Sequence, residues 1–296
     1  MIVTYQPTTD ALLRAVAALS SAVDHIVMVD NGSANFEETR LKESFPALRT
    51  KRLRTNEGIA IAQNEGIAVA RTLESTHVLL MDQDSMPHDG MVSALRDTLR
   101  RLESEGKRVA CVGPRTRSPG STELSTFLPT GWPGKRGGIC QDPTSVVECD
   151  TLMSSGTLIP MRVLDVVGGM EEALFIDQVD AEWCLRARSK GYRVFGACNA
   201  VLEHRLGETS RRFWAGRWRR LPRHKPFRYY YIFRNTILLS RRHYVSLRWS
   251  LFNLRWLAAL FLLYGVFTRS RAGELGMMLR GALDGMRGVT GKLDAS

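Results

Sequence analysis

Two aspartates separated by one residue end an apolar stretch and carry the strongest chemical signal in the chain. The stretch Val78-Leu79-Leu80-Met81 is followed at once by Asp82-Gln83-Asp84-Ser85. A short apolar run predicts a buried strand, and side chains two apart on a strand point the same way. Two carboxylates at one strand tip offer the hard oxygen ligands that Mg²⁺ or Mn²⁺ binds, with places left for substrate phosphates. An acidic turn gives the same triplet, so other segments must decide between these interpretations.

A second group of carboxylates follows much later, in Asp177-Gln178-Val179-Asp180-Ala181-Glu182. The pattern predicts a helix with Asp180 as its N-cap. A carboxylate beside a reacting hydroxyl acts as a general base, whereas acidic residues at a helix N-terminus also simply complement the macrodipole. His204, which follows a short predicted strand, is either a metal ligand or a core histidine.

The elements that must position these side chains alternate between strand and helix. Over residues 1–113, the pattern predicts strands and helices in the order Ile2–Tyr5, helix Thr9–Ala22, His25–Val29, Leu48–Leu53, helix Asn56–Leu73, His77–Met81, helix Met91–Glu103 and Arg108–Gly113. This order is typical of a mostly parallel sheet flanked by helices, and ligands bind beyond the carboxyl ends of such strands. Tyr5, Asp30, Asp82 and Asp84 all fall at those ends.

The later chain is less regular. Residues 114–145 predict a long surface excursion, Val146–Ile159 a β-prone segment, and Val163–Val167 a short helix. Arg193–Phe195 and Ala200–Glu203 predict two short strands.

Two further segments suit a nucleotide. Asp30 could accept hydrogen bonds from a base or ribose, although an Asx-type turn would have the same residues. Asn56-Glu57-Gly58 opens a helix whose first amides could approach phosphates, or it could simply cap and pack that helix. The chain has no GxGxxG or GxxxxGK[ST] sequence, so dinucleotide oxidoreductases and P-loop enzymes are poorly supported.

The charge of the chain is unevenly distributed along its length. The formal net charge is +11, but residues 205–296 hold nineteen Lys/Arg against four Asp/Glu, which leaves residues 1–204 at −4. A boundary is therefore predicted near residue 205.

The chain has five cysteines, an odd number, and their spacing is typical of neither a disulfide framework nor a zinc site. We therefore predict free buried thiols in a reducing cytosol. No signal peptide pattern is seen.

Taken together, the motifs resemble those of inverting nucleotide-sugar glycosyltransferases of glycosyltransferase family 2, and especially its bacterial rhamnosyltransferases. The resemblance covers roughly residues 2–240. The matching segments, in family order, are Val3-Thr4-Tyr5-x-Pro7, Val29-Asp30-Asn31-Gly32-Ser33, Asn56-x-Gly58-Ile59-Ala60-x-Ala62-x-Asn64-x-Gly66-Ile67, Asp82-Gln83-Asp84-Ser85, Ser155-Gly156, Phe175-Ile176-Asp177-x-Val179-Asp180-x-Glu182-Trp183-Cys184-x-Arg186-Ala187, His204-x-Leu206-Gly207-Glu208 and Arg228-Tyr229-Tyr230-x-x-x-Arg234-Asn235.

The resemblance implies a GT-A catalytic domain over residues 1–204, a divalent metal ion, and dTDP-L-rhamnose as the expected donor. It implies Asp180 as the catalytic base and Asp82, Asp84 and His204 at the metal. Donor-binding positions would be Thr4, Tyr5, Asp30, Asn56, Gly58, Asn64, Asp82 and Gln83; acceptor-side or supporting positions would be Asp177, Glu182, Trp183, Arg186, Arg228 and Arg234. The family commonly has an acidic residue just before the base, where this chain has Val179, so Glu182 and Asp177 remain alternatives.

The basic region, residues 205–296, is predicted to be helical and to serve acceptor and membrane-surface association. From Arg205 to Arg255 the chain has fourteen Arg/Lys and interleaved aromatic residues, and residues 256–268 carry no charge. That uncharged run is too short to span a bilayer alone. Arginine, tryptophan and apolar residues together favour an interfacial helix on an anionic leaflet, although a packed subdomain with a solvated basic face would fit as well. We therefore expect a cytoplasmic protein, peripheral on the inner face of the membrane, with a lipid-linked glycan acceptor.

Three alternatives remain. The donor could be UDP-galactofuranose or another nucleotide sugar, because pocket shape decides the sugar. A non-catalytic nucleic-acid-binding protein would also be basic and aromatic, but it leaves the ordered acidic motifs unexplained, and no nucleic-acid partner is expected. A sugar-nucleotide binder without activity is disfavoured by the presence of Asp82, Asp84 and Asp180.

Overall fold

The computed structural model describes residues 1–127, 140–204, 209–214, 218–267 and 272–293. The chain forms two compact units. The first consists of Met1–Glu172 and Asp180–His204, and the second of Ala173–Val179 and Arg205–Ser296. The predicted functional division at residue 205 remains a prediction.

Within the residues that the structure describes, the first unit has ten strands, six α-helices and a 3₁₀ turn. The strands are β1 Ile2–Thr4, β2 Val27–Asp30, β3 Arg49–Arg52, β4 His77–Leu79, β5 Met81–Asp82, β6 Ser85–Pro87, β7 Val109–Arg117, β8 Val146–Cys149, β9 Leu158–Pro160 and β10 Arg193–His204. The helices are α1 Thr9–Ser20, α2 Glu38–Ser44, α3 Ile59–Thr72, α4 Met91–Ser104, α5 Met161–Val167 and α6 Val179–Ser189, with the 3₁₀ turn at Glu172–Leu174. The last two residues of that turn, Ala173 and Leu174, and the first residue of α6, Val179, belong to the second unit.

One sheet of the first unit is entirely parallel and has the strand order β3-β2-β1-β5. The apolar stretch that precedes the aspartates is shared between two sheets, because β5 pairs with β1 while β4 pairs antiparallel with β9. The α/β prediction with a parallel sheet is thus confirmed. Asp30 and Asp82 end their strands, as the sequence predicted.

The second sheet of this unit is mixed and has the path β4-β9-β7-β10-β6, with β8 beside β10. Strand β10 runs parallel to β7 and antiparallel to β6 and β8. The prediction of two short strands between Arg193 and Glu203 is wrong, because β10 is one strand. Its register shifts between Ala197 and Val201, and this irregularity breaks the alternation that sequence reasoning depends on.

A large apolar core lies under these sheets. Helix α4 shows how the sequence builds it: Leu95, Leu99 and Leu102 recur at helical spacing and are buried. They join residues of β1, β2, β7 and β10 in one cluster. Because this burial supplies most of the stabilisation, the strand ends that carry the candidate site rest on a fixed base.

In the described ranges of the second unit there are a β-hairpin and three helices. Its elements are β11 Thr209–Trp214, β12 Trp218–Arg223, α7 Pro226–Ser240, α8 Leu247–Phe267 and α9 Ala272–Arg287. The three helices agree with the helical C-terminal region that the sequence predicted, whereas the two paired strands before them were not foreseen. The motif residues 205–208 lie outside the described residues.

The three helices of the second unit share a small core. Tyr229, Ile232 and Phe233 of α7 pack with Leu257, Leu260 and Tyr264 of α8 and with Met278 of α9. Helices α7 and α9 approach closely at two glycines of α9. A Cβ on Gly281 would lie 2.3 Å from the carbonyl oxygen of Tyr230, so this packing depends on the absence of a side chain.

The cysteine prediction needs a correction. Cys140 and Cys198 form a disulfide, with their Cα atoms 5.6 Å apart. Their separation of 58 residues gives no local sequence signal. The other three, Cys111, Cys149 and Cys184, are free and buried, as predicted. A hydrogen bond with Cys184 and burial raise the pKa of Cys111, and burial raises that of Cys149, so these thiols stay protonated and unreactive.

Candidate active site

The two aspartates and the histidine that the sequence predicted come together in the first unit. Their ligand atoms lie within 4.8 Å of one another, and in the described part of the chain they form the one such acidic or histidine group of three. Asp84 is exposed, Asp82 is half-buried and His204 is buried. Nδ1 of His204 lies 3.5 Å from an oxygen of Asp84. Two carboxylates with one imidazole form a donor set that fits Mn²⁺ or Mg²⁺.

Strand pairing explains how His204 reaches this position. In the antiparallel pair β6–β10, His204 lies opposite Ser85, the residue that follows Asp84. The hydroxyl of Ser85 lies 2.7 Å from Nδ1 of His204 and 2.7 Å from the hydroxyl of Ser155. Ser155 also accepts a hydrogen bond from the backbone N–H of Asp82. Both serines stand in the motif segments given above, but no role was predicted for either.

Asp30 lies at the end of β2 and is fully buried. Its carboxylate accepts hydrogen bonds from the hydroxyls of Thr4 and Ser33 and from the N–H of Ser33, and it lies 3.4 Å from Nε of Arg52. Four donors around two oxygens match the accepting capacity of a carboxylate. The predicted contact of Asp30 with a nucleoside stays a prediction, and it requires one of these donors to move.

The two loops that follow β2 and β3 are tied together by asparagines. The side chain of Asn31 donates to Asn56 and accepts from the N–H of Glu57. Gly32, at φ +78°, leaves no room for a side chain, because its Cβ would lie 2.5 Å from the Thr55 backbone. Gly58, at φ +91°, precedes α3 and donates its N–H to Asn56. Asn31 was missed as a positioning residue, since its partner lies 25 residues away.

The side-chain amides of Gln83 and Asn64 both form hydrogen bonds with backbone groups. Gln83 exchanges two hydrogen bonds with the backbone of Tyr5, which joins the ends of β1 and β5, while the Tyr5 ring is 44% exposed. Asn64 exchanges two hydrogen bonds with Met170 and donates a third to Glu172. Their predicted contacts with the donor stay predictions.

The three carboxylates proposed as base have different surroundings. The carboxylate of Asp177 accepts two hydrogen bonds from the guanidinium of Arg228, one on each oxygen. Glu182 is fully buried and holds Arg186 through both of its oxygens. Asp180 is half-buried and accepts a hydrogen bond from the N–H of Ala181. It lies in the first turn of α6 and not at the N-cap, because the helix already begins at Val179.

Trp183 and Arg186 fasten α6 to the loop after α5. The indole N–H of Trp183 donates to the carbonyl of Gly168, and the guanidinium of Arg186 donates to the carbonyls of Val167 and Gly169. Both side chains therefore hold α6 to that loop. Contact with an acceptor stays a prediction.

In the second unit, α7 holds the segment that leads into α6. The amide of Asn235 donates to the carbonyls of Leu174, Ile176 and Asp177, and Arg234 donates to Leu174 and to Gly291. Three non-glycine residues of this segment have positive φ: Phe175, Asp177 and Gln178. Backbone in this region costs about 1 to 3 kcal/mol per residue and persists where neighbours hold it. Asn235 adjoins the predicted Arg234, but its role was not foreseen.

The sequence of the chain is similar to those of known glycosyltransferases. The family model "Glycosyl transferase family 2" matches residues 1–153. The dTDP-rhamnosyl transferase RfbF of Shigella flexneri is 29% identical over 297 residues, which covers 98% of this chain and 96% of that protein.

Two solved structures share the fold. The crystal structure of GalNAc-T7 with UDP, GalNAc and Mn²⁺ aligns with a TM-score of 0.56 and 14% identity over 69% of this chain, which spans 43% of that one. The crystal structure of S. aureus TarS 1–349 aligns with a TM-score of 0.55 and 12% identity, covering 97% of this chain and 82% of that one. At these identities the likeness concerns the fold. Because the family match covers more than half of the sequence, the chain belongs to glycosyl transferase family 2 and is a glycosyltransferase with a GT-A fold.

Proposed function

We propose that the protein transfers L-rhamnose from dTDP-L-rhamnose, with inversion at the anomeric carbon, to a lipid-linked or polysaccharide acceptor in cell-surface glycan synthesis. The observation that carries the donor assignment is the similarity to the Shigella flexneri dTDP-rhamnosyl transferase along nearly the full length of both chains. The grouping of Asp82, Asp84 and His204 supports a site for a metal-bound diphosphate. Galactofuranose and other nucleotide sugars remain the alternative donors.

In the proposed mechanism, Asp180 accepts the proton of the acceptor hydroxyl while that oxygen attacks the anomeric carbon. The bond from the anomeric carbon to the diphosphate breaks on the opposite face, and its electron pair leaves with the nucleoside diphosphate. Asp82, Asp84 and His204 would hold Mg²⁺ or Mn²⁺, which, when bound, offsets the charge of the departing diphosphate. One displacement inverts the configuration, so no covalent sugar intermediate is needed.

The remaining predicted positions have proposed roles around this centre. Thr4, Tyr5, Asp30, Asn56, Gly58, Asn64 and Gln83 are proposed for the donor side. Asp177, Glu182, Trp183, Arg186, Arg228 and Arg234 are proposed to support the base or the acceptor. The hydrogen bonds described above favour support over direct contact for Glu182, Trp183 and Arg186, because each is already held by protein groups.

The test of the donor assignment is nucleoside diphosphate release by purified protein with a membrane lipid extract. Separate reactions contain dTDP-rhamnose, UDP-galactofuranose or UDP-glucose, each with Mn²⁺ or with EDTA. We expect metal-dependent release of dTDP from dTDP-rhamnose, at least tenfold faster than release from the other donors. Faster release from another donor would overturn the rhamnose assignment but keep the enzyme class. Equal release with EDTA would overturn the role proposed for the metal.

The membrane association of the second unit is also a proposal, and helix α8 supports it. Leu247–Val266 is long and apolar enough to cross a membrane by length and composition alone, with a mean hydropathy of 1.3. It is longer than the uncharged run seen in the sequence because it begins before Arg248 and Arg255. One face packs on α7, and the opposite face exposes Leu251 (45%) and Leu262 (64%).

The exposed face of α8 suits a lipid surface better than water. Leu247, Leu251, Leu254, Leu262 and Val266 recur at helical spacing and are all exposed. At 100° per residue, Arg248 and Arg255 fall on one flank of this apolar stripe. An apolar face with arginines beside it matches the acyl boundary and the anionic headgroups of a bilayer. We propose that this face lies in the membrane interface rather than spanning the bilayer.

Replacing Leu251 and Leu262 together by Gln is expected to weaken binding to phosphatidylglycerol-containing vesicles at least tenfold. Burying one leucine is worth about 1.5 to 3 kcal/mol, and about 1.4 kcal/mol changes affinity tenfold. The measurement is vesicle co-sedimentation of the full chain. Val166→Gln, at a residue 51% exposed on α5, is the matched control and should bind within twofold of the wild type. Unchanged vesicle binding by the double variant would contradict the proposal. The proposal would also be contradicted if the wild type and the control form a concentration-dependent dimer that the double variant does not form, because the exposed face of α8 would then bind a second copy of the chain.

A further inference from the structure

A chain of buried hydroxyls lies behind the acidic group of the first unit. Ser85, Ser155 and His204 are 2%, 1% and 8% exposed. The Ser155 hydroxyl lies 3.1 Å from the backbone nitrogen of Asp82 and 2.7 Å from the Ser85 hydroxyl, which lies 2.7 Å from Nδ1 of His204. Two hydroxyls thereby join β5 and β10, which carry Asp82 and His204, to β6, which begins directly after Asp84.

The backbone around Ser155 is itself fixed. The N–H of Gly156 donates to the carbonyl of Leu80, and the N–H of Leu80 donates to the carbonyl of Thr157. Gly156 has φ +81°, and a Cβ there would lie 2.5 Å from the Pro114 ring. Only glycine suits this position. The Ser155 hydroxyl is thus held close to the residues that lead into Asp82, which explains the Ser155-Gly156 pair seen in the sequence.

Strand register fixes the other end of the chain. Ser85 and His204 are direct partners across the antiparallel β6–β10 pair, so their side chains stand on the same face of the sheet. A serine hydroxyl both donates and accepts. The Ser85 hydroxyl can therefore bond to Nδ1 of His204 whether or not that nitrogen carries the proton. Groups that bond to a metal-binding histidine set its orientation and its basicity.

We propose that Ser85 and Ser155 are positioning residues of the metal site: Ser85 orients the His204 imidazole, and Ser155 holds Ser85 and the backbone of Asp82. This inference rests on the metal role given above to Asp82, Asp84 and His204. Neither serine is proposed to touch the ion or the substrate. Their contribution is to keep the imidazole and the two carboxylates in one arrangement before a ligand arrives, which reduces the ordering needed on binding.

The expected result is that Ser85→Ala weakens binding of Mn²⁺ alone to the full chain by about tenfold, since loss of such a partner typically costs 10- to 100-fold in metal affinity. Ser155→Ala should weaken it by a similar factor. Free Mn²⁺ is measured by electron paramagnetic resonance, without substrate or turnover. In a His204→Ala background, Ser85→Ala should change Mn²⁺ affinity by less than twofold, because the residue it orients is gone.

Ser250→Ala is the matched control for loss of a buried hydroxyl. Ser250 is 5% exposed, and its hydroxyl bonds to backbone carbonyls of Ser240 and Ser246 in the second unit. The Ser250→Ala variant should lose about as much stability as Ser85→Ala, but it should bind Mn²⁺ as tightly as the wild type does. If the wild type does not bind Mn²⁺, the proposed metal site fails, and this inference fails with it. If the wild type binds but folded Ser85→Ala matches it, or if the Ser85→Ala effect persists without His204, only the positioning role is overturned.

Discussion

Replacing Asp180 by Asn is expected to lower kcat by about 10³-fold, because a positioned general base contributes about 10²- to 10⁴-fold. Asn has nearly the same shape but cannot take the acceptor proton. The half-buried side chain and its bond from the Ala181 N–H can both be retained by an amide oxygen. Donor affinity should therefore stay within about threefold of the wild type. Steady-state release of nucleoside diphosphate with saturating acceptor, together with donor binding by calorimetry, measures the two quantities.

Variants of the other two candidate bases, Asp177 and Glu182, are expected to behave differently from Asp180→Asn. Asp177→Asn weakens the contact with Arg228, and Glu182→Gln leaves Arg186 without its buried charge partner. Removing one member of a buried pair costs stability, by about 3 to 5 kcal/mol where the charge is left uncompensated. We therefore expect lower thermal stability in Glu182→Gln, while kcat of its folded fraction stays within tenfold of the wild type. A loss of 10³-fold in kcat for Glu182→Gln or Asp177→Asn, with Asp180→Asn still active, would reassign the base.

Replacing Gly281 by Ala is expected to reduce the free energy of unfolding by about 2 to 3 kcal/mol, the upper end of the usual cost of overpacking. The new Cβ would lie 2.3 Å from the Tyr230 carbonyl oxygen and 3.0 Å from its Cα. Both atoms are backbone, so a rotamer change cannot relieve the clash and α9 must move away from α7. That movement would open the core formed by Tyr229, Phe233 and Met278.

Gly276→Ala in the same helix is the control. A Cβ there meets nothing within 4 Å, and Ala is favoured over Gly in a helix by about 1 kcal/mol. The control should raise stability by up to that amount, so the two variants differ in sign. Urea unfolding followed by circular dichroism, analysed for the transition that includes the helices of the second unit, gives the comparison. Equal stability of the two variants would show that α7 and α9 do not pack as described.

Local patterns were sufficient for several elements of residues 1–113 and for the strand ends at Asp30 and Asp82. The strand before Asp82 and the helices α1, α3 and α4 follow from apolar spacing over a few residues, and Asp30 and Asp82 fall at the ends of strands as predicted. The elements and strand ends depend on neighbours along the chain, so a sequence contains them directly. The GT-A fold, which the family resemblance implied, is also confirmed.

Pairings over long separations were decided by tertiary structure. His204 reaches Asp84 only through the β6–β10 register, and Ser155 reaches Ser85 across 70 residues. The disulfide between Cys140 and Cys198, and the single long β10, likewise escaped local reasoning. The different surroundings of Asp177, Asp180 and Glu182 escaped it too, because an arginine partner and full burial are properties of packing. The sequence by itself determined which residues could do this chemistry, while strand register and burial decided which of them meet.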